Sequence, residues 1–156
     1  MLSCLDLPTP VGTLTLLAAE DALLGLWVAG QRQPGAQARR EETPMLRAAA
    51  DWLGRYFAGQ APDPRALPLR PTGSAFQRSV WAALRRIPYG ATVSYGSLAR
   101  ELGTSPRAVG AAAGRNPILI FIPCHRLVGA DGSLTGYAGG LAVKEALLRL
   151  EGSRPV

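Results

Sequence analysis

Leucine and threonine alternate near the start of the chain, and this pattern predicts two β-strands. The alternation covers residues 12–19, and a second apolar stretch covers residues 22–28, with the polar pair Glu20–Asp21 between them. A period of two residues is typical of a strand that buries one face. We therefore expect two strands joined by a turn, followed by a polar surface loop over residues 30–42.

The apolar period becomes helical after Thr43. Threonine is a favoured N-cap residue, and Pro44 suits the first turn of the helix that follows. Apolar and aromatic residues then recur every three or four positions up to residues 56–57, which is the spacing of one buried helix face. Gly59 is expected to end this helix.

A proline-rich stretch separates the two halves of the chain. Residues 60–72 contain four prolines, and prolines at this density disfavour both helix and sheet ladder. We expect a linker here and place a domain boundary near residue 70. The prediction is a small α/β domain over residues 1–70 and a mainly α-helical domain over residues 71–156.

Helices dominate the pattern of the second half. Ser74 and Gln77 form a capping box at the start of one helix. The residues expected on its buried face are Phe76, Val80, Leu84 and Ile87. Ser94 then caps a short helix that stops at Gly103, and Ser105 starts another. Two helices joined by a short turn with a glycine are typical of a helix-turn-helix.

The last third of the chain predicts a strand, a hairpin and a helix. The apolar run 118–122 predicts a buried strand, and residues 126–134, with a turn at Asp131–Gly132, predict the hairpin that forms a wing. A glycine-rich loop over residues 136–140 precedes a helix over residues 141–151. The residues expected on the buried face of this helix are Val143, Ala146, Leu147 and Leu150.

The chain carries a formal charge of +6, and all but one of its 17 basic residues are arginine. A basic excess favours a polyanionic partner such as nucleic acid. Coding bias is an alternative explanation for arginine over lysine, but it does not explain the excess of bases over acids. No apolar run is long enough to cross a membrane, and no secretory leader is evident, so we expect a cytoplasmic protein.

Two cysteines and one histidine limit the metal chemistry that is available. Four Cys and His ligands for a structural zinc ion cannot be assembled from these three residues. We expect no metal and no cofactor. One disulfide is arithmetically possible between Cys4 and Cys124, but a reducing compartment argues against it.

Cys124 lies beside His125, the only histidine in the chain, just after the apolar run and Pro123. A thiolate is a strong nucleophile, and an imidazole can accept its proton. A buried, inert thiol is the alternative. Because neighbouring residues on an extended chain point apart, we expect a turn or a water molecule to connect the two groups.

Other residues are candidates for supporting this chemistry. Glu151 lies in the last turn of its helix, where a carboxylate is disfavoured by the helix dipole, and it is the best candidate to orient His125. Tyr95 is either a core residue or a site residue, and Tyr137 is either a loop anchor or one wall of a base pocket. Asn116, before a proline, is most simply a helix stop.

Small side chains dominate the second helix of the predicted helix-turn-helix. The stretch between Arg107 and Arg115 contains only alanine, valine and glycine. Such a helix is either tightly packed in the core or able to approach a nucleic-acid groove closely, with arginine making the phosphate contact or insertion. Together with the net charge, this favours nucleic acid as the partner.

In combination, these motifs resemble the O6-alkylguanine-DNA alkyltransferases, also called methylated-DNA–protein-cysteine methyltransferases. The shared features are the helix start at 107–110, Asn116-Pro117, Pro123-Cys124-His125-Arg126 and the run 136–141, in that order along the chain. The resemblance implies an N-terminal ribonuclease-H-like α/β domain and a C-terminal winged helix-turn-helix domain. It also implies direct DNA repair by a monomer, located on the nucleoid when bound to DNA.

The resemblance also implies roles for single residues. Cys124 would accept the alkyl group from O6-alkylguanine irreversibly, once per molecule. His125, held by Glu151, would deprotonate the thiol through water, Asn116 would order the site, and Tyr95 would assist the departing guanine. The implied DNA contacts are Arg107, which would fill the vacated base stack, Ala108, Gly110, Ala111 and Arg115. The implied contacts to the flipped base are Tyr137, Ala138, Lys144 and Val128.

Two positions depart from related sequences. Ala138 stands where some members have serine, so only its backbone N–H would reach O6, and Ala113 stands where many bacterial relatives have asparagine.

Three other functions compete with alkyl transfer: a damage-binding module of the alkyltransferase-like type, a winged-helix regulator, and a thiol hydrolase. Alkyltransferase-like proteins usually replace the cysteine with tryptophan, so Cys124 argues against the first of these.

Overall fold

The computed structural model of this chain describes residues 1–29, 31 and 38–153. The chain divides into two compact units, Met1–Thr72 and Gly73–Val156. No helix within the described ranges combines the length and apolar character that a membrane crossing needs.

Over its described residues, the first unit is a four-stranded sheet with one helix. Its strands are β1 (Ser3–Thr9), β2 (Gly12–Ala18), β3 (Leu23–Val28) and β4 (Arg39–Arg40), arranged in the order β3-β2-β1-β4. β2 pairs antiparallel with both β1 and β3, while β4 runs parallel to β1. Helix α1 (Pro44–Phe57) covers the sheet with its apolar face. Thr43 caps α1 by accepting a hydrogen bond from Leu46 N, as predicted.

Three parts of this unit differ from the sequence prediction. The strand Ser3–Thr9 was not predicted, and Arg39–Arg40 forms a strand within the expected loop. Positions 30 and 32–37 of that loop lie outside the described residues. The proline-rich stretch is not a free linker, because Leu23 N donates to Pro68 O and Arg70 N donates to Leu23 O, both at 2.9 Å. These bonds attach it to the edge of β3.

The second unit, described here as far as residue 153, contains four helices and a two-stranded sheet. The helices are α2 (Ala75–Leu84), α3 (Tyr95–Leu102), α4 (Pro106–Gly114) and α5 (Leu141–Leu150). The strands are β5 (Val93–Ser94) and β6 (Leu127–Val128), and they run parallel. The capping box at Ser74 and Gln77 is present, and Gly103 ends α3 with a φ of 68°. Helix α4 packs against both α2 and α3.

The predicted wing and buried strand do not form as expected. Residues 118–122 are buried but follow a series of tight turns, because the Asn116 side chain bonds their backbone groups in place of a neighbouring strand. The predicted hairpin over residues 126–134 is replaced by the parallel pairing of β6 with β5, and only a turn closed by Gly129 N and Ser133 O remains.

Two predicted buried faces also need correction. Phe76 is 40% exposed, although its spacing predicts burial. In α5 the buried residues are Lys144, Leu147 and Leu148, whereas Ala146 is exposed. The buried face of α5 is therefore rotated from the predicted one, and it carries a charged lysine into the interior. That lysine belongs to the site described next.

Candidate active site

The Asn116 side chain holds the loop that carries Cys124. Its Oδ1 accepts a hydrogen bond from Ile118 N at 2.9 Å, and its Nδ2 donates to Ile122 O at 2.8 Å. The same Nδ2 lies 3.2 Å from Cys124 Sγ and donates to it. Asn116 is thus more than a helix stop, because one amide group shapes the loop and contacts the thiol.

Two very tight turns lead into the cysteine. Phe121 N bonds Leu119 O, and Cys124 N bonds Ile122 O, each at 2.8 Å. Bonds of this i to i+2 type define γ-turns. Ile120, at the centre of the first, has a φ of 72°, which is a strained conformation for a β-branched residue and costs about 1–3 kcal/mol. This geometry redirects the chain so that Cys124 starts a short 3-10 turn, Cys124–Arg126.

Cys124 is a buried thiol that is protonated at rest. Only 4% of the residue is exposed. Burial raises the pKa of the Cys124 thiol to about 11, although the hydrogen bond from Asn116 and the charge of Lys144 act in the opposite direction. Because the thiolate is the reactive species, a nucleophilic role for Cys124 requires a base that removes the proton during the reaction.

His125 is the candidate for that base. The imidazole is fully buried, and its Nε2 lies 2.7 Å from Glu151 Oε2. Burial lowers the pKa of His125, although Glu151 acts in the opposite direction. Its other nitrogen, Nδ1, has no hydrogen-bond partner within the described ranges, and no hydrogen bond among those residues joins His125 to Cys124. The absence of a direct hydrogen bond in this part of the chain is compatible with the expected link through a turn or a water molecule.

Glu151 receives more donors than the sequence indicated. Arg126 binds both of its oxygens, with Nε 2.8 Å from Oε1 and one terminal nitrogen 3.0 Å from Oε2. Gly90 N also donates to Oε1 at 3.4 Å. Burial opposes ionisation, but the hydrogen bonds from His125 and Arg126 prevail and hold the pKa of Glu151 far below its usual range. Glu151 is therefore an anion at neutral pH, in spite of its place at a helix end.

A pocket of about 640 Å³ opens beside Cys124. Helices α3 and α4 form one side of it, and the loop before α5 forms the other. Its lining residues are Tyr95, Pro106, Arg107, Gly110, Ala113, Gly114, Cys124, Thr135, Gly136, Tyr137 and Ala138. Five predicted site residues besides the cysteine therefore line one cavity, namely Tyr95, Arg107, Gly110, Tyr137 and Ala138. The cavity is large enough for a purine base with a small substituent.

Lys144 links the two sides of this pocket. Its Nζ donates to Gly136 O at 2.8 Å and lies 5.7 Å from the centre of the Tyr95 ring. The lysine thus anchors the loop from behind, and it is not among the residues that line the pocket. Val128 is also outside the lining, buried in β6, where it pairs with Ser94.

Tyr137 is held in the pocket wall by its neighbours. Its ring meets the His125 ring edge-on, with 6.4 Å between the ring centres. Gly139 permits this position, because a Cβ atom there would lie 2.7 Å from Tyr137 Cε2. The Tyr137 hydroxyl has no hydrogen-bond partner among the residues described. Tyr137 thus forms an aromatic part of the pocket wall, next to His125.

The predicted DNA contacts lie along α4. Arg107, Ala111 and Arg115 are exposed, while Ala108 and Gly110 are partly exposed.

The distribution of charge between the two units agrees with a role of the second unit in binding DNA. Residues 1–72 contain seven arginines and seven acidic residues, whereas residues 73–156 contain nine arginines, one lysine and four acidic residues. The whole excess of +6 therefore belongs to the second unit.

Sequence reasoning missed several site residues. Arg126 was seen only as part of a motif, although a buried arginine usually signals a buried anion, which could have been found by asking what pairs with Glu151. Pro106, Gly114, Thr135 and Gly136 line the pocket through backbone and small side chains, so residue type gives no signal for them. Within the described ranges, no three His, Cys, Asp or Glu side chains gather as a metal site would require.

Comparison with known proteins gives a consistent result. Residues 6–71 match the ribonuclease-like domain of 6-O-methylguanine DNA methyltransferase, and residues 75–153 match the DNA binding domain of the same protein. A methylated-DNA–protein-cysteine methyltransferase of Methanosarcina acetivorans is 44% identical over 93% of this chain and 95% of its own. One from Mycolicibacterium paratuberculosis is 46% identical over 92% of this chain and 88% of its own.

A solved structure supports the same likeness in three dimensions. Mycobacterium tuberculosis OGT in complex with DNA is similar to this chain, with a TM-score of 0.89 and 41% sequence identity. The match covers 97% of this chain and 93% of that one. The likeness therefore extends over both units and includes a protein that was crystallised on DNA.

Proposed function

Because this chain belongs to the 6-O-methylguanine DNA methyltransferase family, we propose that it repairs DNA by moving the alkyl group of O6-alkylguanine onto Cys124. Its fold is that of the family, with an N-terminal ribonuclease-like domain and a C-terminal DNA-binding domain. DNA is its macromolecular partner. The protein is a methyltransferase that consumes itself, since the acceptor is one of its own side chains.

The transfer is a displacement at the alkyl carbon. The Cys124 proton passes to His125 Nδ1 through a water molecule, and the sulfur attacks the alkyl carbon. A carbon–sulfur bond forms as the bond between that carbon and O6 breaks. The electron pair of the broken bond remains with the guanine, and the Tyr95 hydroxyl donates a proton to a ring nitrogen as the guanine leaves. Solvent then returns a proton to Tyr95 and takes the proton held by His125. The thioether is stable, so each molecule acts once.

The observation that carries this proposal is the position of Cys124 in the wall of a pocket large enough for a purine. The adjacent His125, which would accept the thiol proton, is already oriented by Glu151. The pKa of the thiol, about 11, keeps it protonated and unreactive between encounters. Glu151 fixes His125, and Asn116 donates a hydrogen bond to the sulfur that becomes stronger as negative charge develops there. The site therefore favours the thiolate only during reaction.

The substrate base must leave the duplex to reach this pocket. We assign α3 and α4 as the helix-turn-helix, with α4 entering the minor groove. Its small residues Ala108, Gly110 and Ala111 permit close approach, and Arg107 at the pocket rim fills the space that the base vacates. Arg115 contacts phosphate. Tyr137 and the backbone of Ala138 cover the flipped base, and Val128 and Lys144 support the pocket from behind.

Three other functions make different predictions. A damage-binding module would bind the modified duplex without restoring guanine, a regulator would show no preference for the damage, and a thiol hydrolase would turn over repeatedly.

We expect the active form to be a monomer, found on the nucleoid when bound to DNA. No cofactor is needed, because both reacting groups come from the protein and the substrate.

Counting products separates these functions. The protein would be mixed with a large excess of duplex DNA that contains O6-methylguanine, and the restored guanine would be measured over time. We expect the product to rise and then stop at one guanine per protein. A plateau at zero would support the binding module, and continued turnover would support a hydrolase, and either result would overturn the proposal.

A further inference from the structure

Arg126 is buried beside the reacting groups, although it neither carries the thiol proton nor touches the alkyl group. Only 7% of the residue is exposed. It contacts both oxygens of Glu151, and a terminal nitrogen donates to Ile87 O at 2.6 Å. Its guanidinium carbon lies 5.9 Å from the centre of the Tyr89 ring. The arginine is thus fixed from three directions, with its charge against the carboxylate that also binds His125.

Several groups face the imidazole from the elements packed around it. They are Lys144 from α5, Glu151 at the C-terminal cap of α5, Tyr137 from the preceding loop, and Cys124 and Arg126 from the same 3-10 turn. Glu151 is the one anion among them at neutral pH, because the thiol and the phenol hold their protons. The ionisation state of His125 therefore depends on how the charge of Glu151 is balanced.

A buried carboxylate 2.7 Å from an imidazole normally draws a second proton onto the ring. The ring would then carry hydrogen on both nitrogens, and Nδ1 could not accept the thiol proton. Arg126 changes this balance, because its fixed positive charge already neutralises Glu151 through two hydrogen bonds. The carboxylate then needs only a neutral donor from His125, namely Nε2–H, and this leaves the lone pair on Nδ1.

From this geometry we infer that Arg126 is a positioning residue, the counter-ion of Glu151 that keeps His125 neutral with a free lone pair on Nδ1. The inference deepens the proposed function and rests on it for the role of His125 as the base. The unpartnered state of Nδ1 among the described residues fits this assignment. A merely structural arginine would stabilise the fold without setting the protonation of the histidine.

The chain has a single histidine, so nitrogen NMR of the imidazole reports on this residue alone. In the unaltered protein we expect the neutral form with hydrogen on Nε2 from pH 6.5 to pH 8. An imidazolium at pH 7, or a neutral ring with hydrogen on Nδ1, would overturn the inference. This measurement needs no substitution, so it stands even if a variant at Arg126 fails to fold.

Substitutions then test the cause. In Arg126→Met we expect His125 to be protonated at neutral pH, and transfer from free O6-benzylguanine to fall about tenfold at pH 7, with the pH profile moved to higher pH. Arg126→Lys retains the positive charge and should restore both the neutral ring and most of the rate. Arg149→Met, which removes an exposed arginine of α5 paired with Glu145, is the matched control and should change neither.

A second substitution separates charge from packing. Adding Glu151→Gln to Arg126→Met removes the unbalanced anion, so the ring should become neutral again. If Arg126→Met lowers only the stability and leaves the ring neutral, Arg126 is structural and the inference fails. If the unaltered protein accepts no alkyl group at all, the proposed function fails instead, while the NMR result still decides the role of Arg126.

Discussion

Each unit of this protein buries one free cysteine, and the two differ in what surrounds them. Cys4 lies within β1, paired with Leu17 on one side and Arg40 on the other, and is 3% exposed. Cys124 is similarly buried, but it begins a tight turn and receives a hydrogen bond from a side-chain amide. Burial is thus common to both thiols. Cys124 differs from Cys4 in the polar side chains around its sulfur and in the pocket that opens beside it.

The two units also differ in charge. The first carries equal numbers of basic and acidic residues, whereas the second carries the entire excess of the chain. A uniformly basic protein would bind DNA over much of its surface. The concentration of charge in the unit that contains α4 and Cys124 instead favours binding where the chemistry takes place.

The strongest test of the contrast between the cysteines is to remove each one. Cys124→Ala should abolish alkyl transfer completely, because no other group can accept the alkyl carbon. Cys4→Ala should leave the rate within about twofold and lower the stability by about 1 kcal/mol, since it removes a buried sulfur. Single-turnover rates with methylated duplex DNA check both. Transfer that survives in Cys124→Ala would break the distinction.

The next test compares arginines from the two units. Arg107→Ala should slow repair of duplex DNA about tenfold or more, because nothing then fills the vacated base stack. It should slow reaction with free O6-benzylguanine far less, since that substrate needs no flipping. Arg47→Ala, which removes an exposed arginine on α1, is the control. An equal loss on both substrates would remove Arg107 from base flipping.

A smaller effect should appear in the salt dependence of DNA binding. Affinity should fall as salt rises, because arginines displace counterions from phosphates. Arg115→Ala should reduce the slope of log affinity against log salt by about 1, whereas Arg47→Ala should leave the slope unchanged. Fluorescence anisotropy over a range of salt concentrations measures both. A slope that responds equally to the two variants would mean that both units bind DNA.

The last test of the contrast between the cysteines concerns stability at high pH. The pKa of Cys124 is raised from about 9 to about 11, so the folded protein keeps a proton that the unfolded chain releases. The stabilisation is complete below pH 9 and disappears as pH rises through 11, up to about 3 kcal/mol. Urea unfolding between pH 8.5 and pH 11 should show a smaller loss in Cys124→Ser than in Cys4→Ser, because the phenols of Tyr89 and Tyr137, whose pKa values burial also raises, contribute the same loss to both variants. Parallel losses in both variants would contradict the assignment.

Local interactions made parts of the fold predictable. The caps at Thr43, Ser74 and Ser94 depend on bonds three residues away, so the sequence alone indicates them. Two features differ from the prediction for opposite reasons. The strand Ser3–Thr9 was not predicted, and the γ-turns before Cys124 replace a strand that was. The strand is defined by its pairing with other strands, and the apolar run 118–122 has strand composition but is diverted by Asn116.

The site was predictable to a similar extent. Cys124, His125 and Glu151 could be named from residue type, position and family resemblance. The donors that keep Glu151 ionised could not be named from the sequence, because Arg126 and Gly90 reach Glu151 only in the folded chain. The rotation of α5 that buries Lys144 also depends on packing. Periodicity therefore finds the helices, while the balance of charge at the site requires the tertiary structure.

The central claim is tested most directly by the mass of the protein after reaction. The unaltered protein would be incubated with duplex DNA that contains O6-methylguanine, weighed intact, digested and mapped by peptide mass spectrometry. We predict a single gain of about 14 Da, confined to the peptide that contains Cys124. No gain, or a gain on the peptide that contains Cys4, would contradict the account.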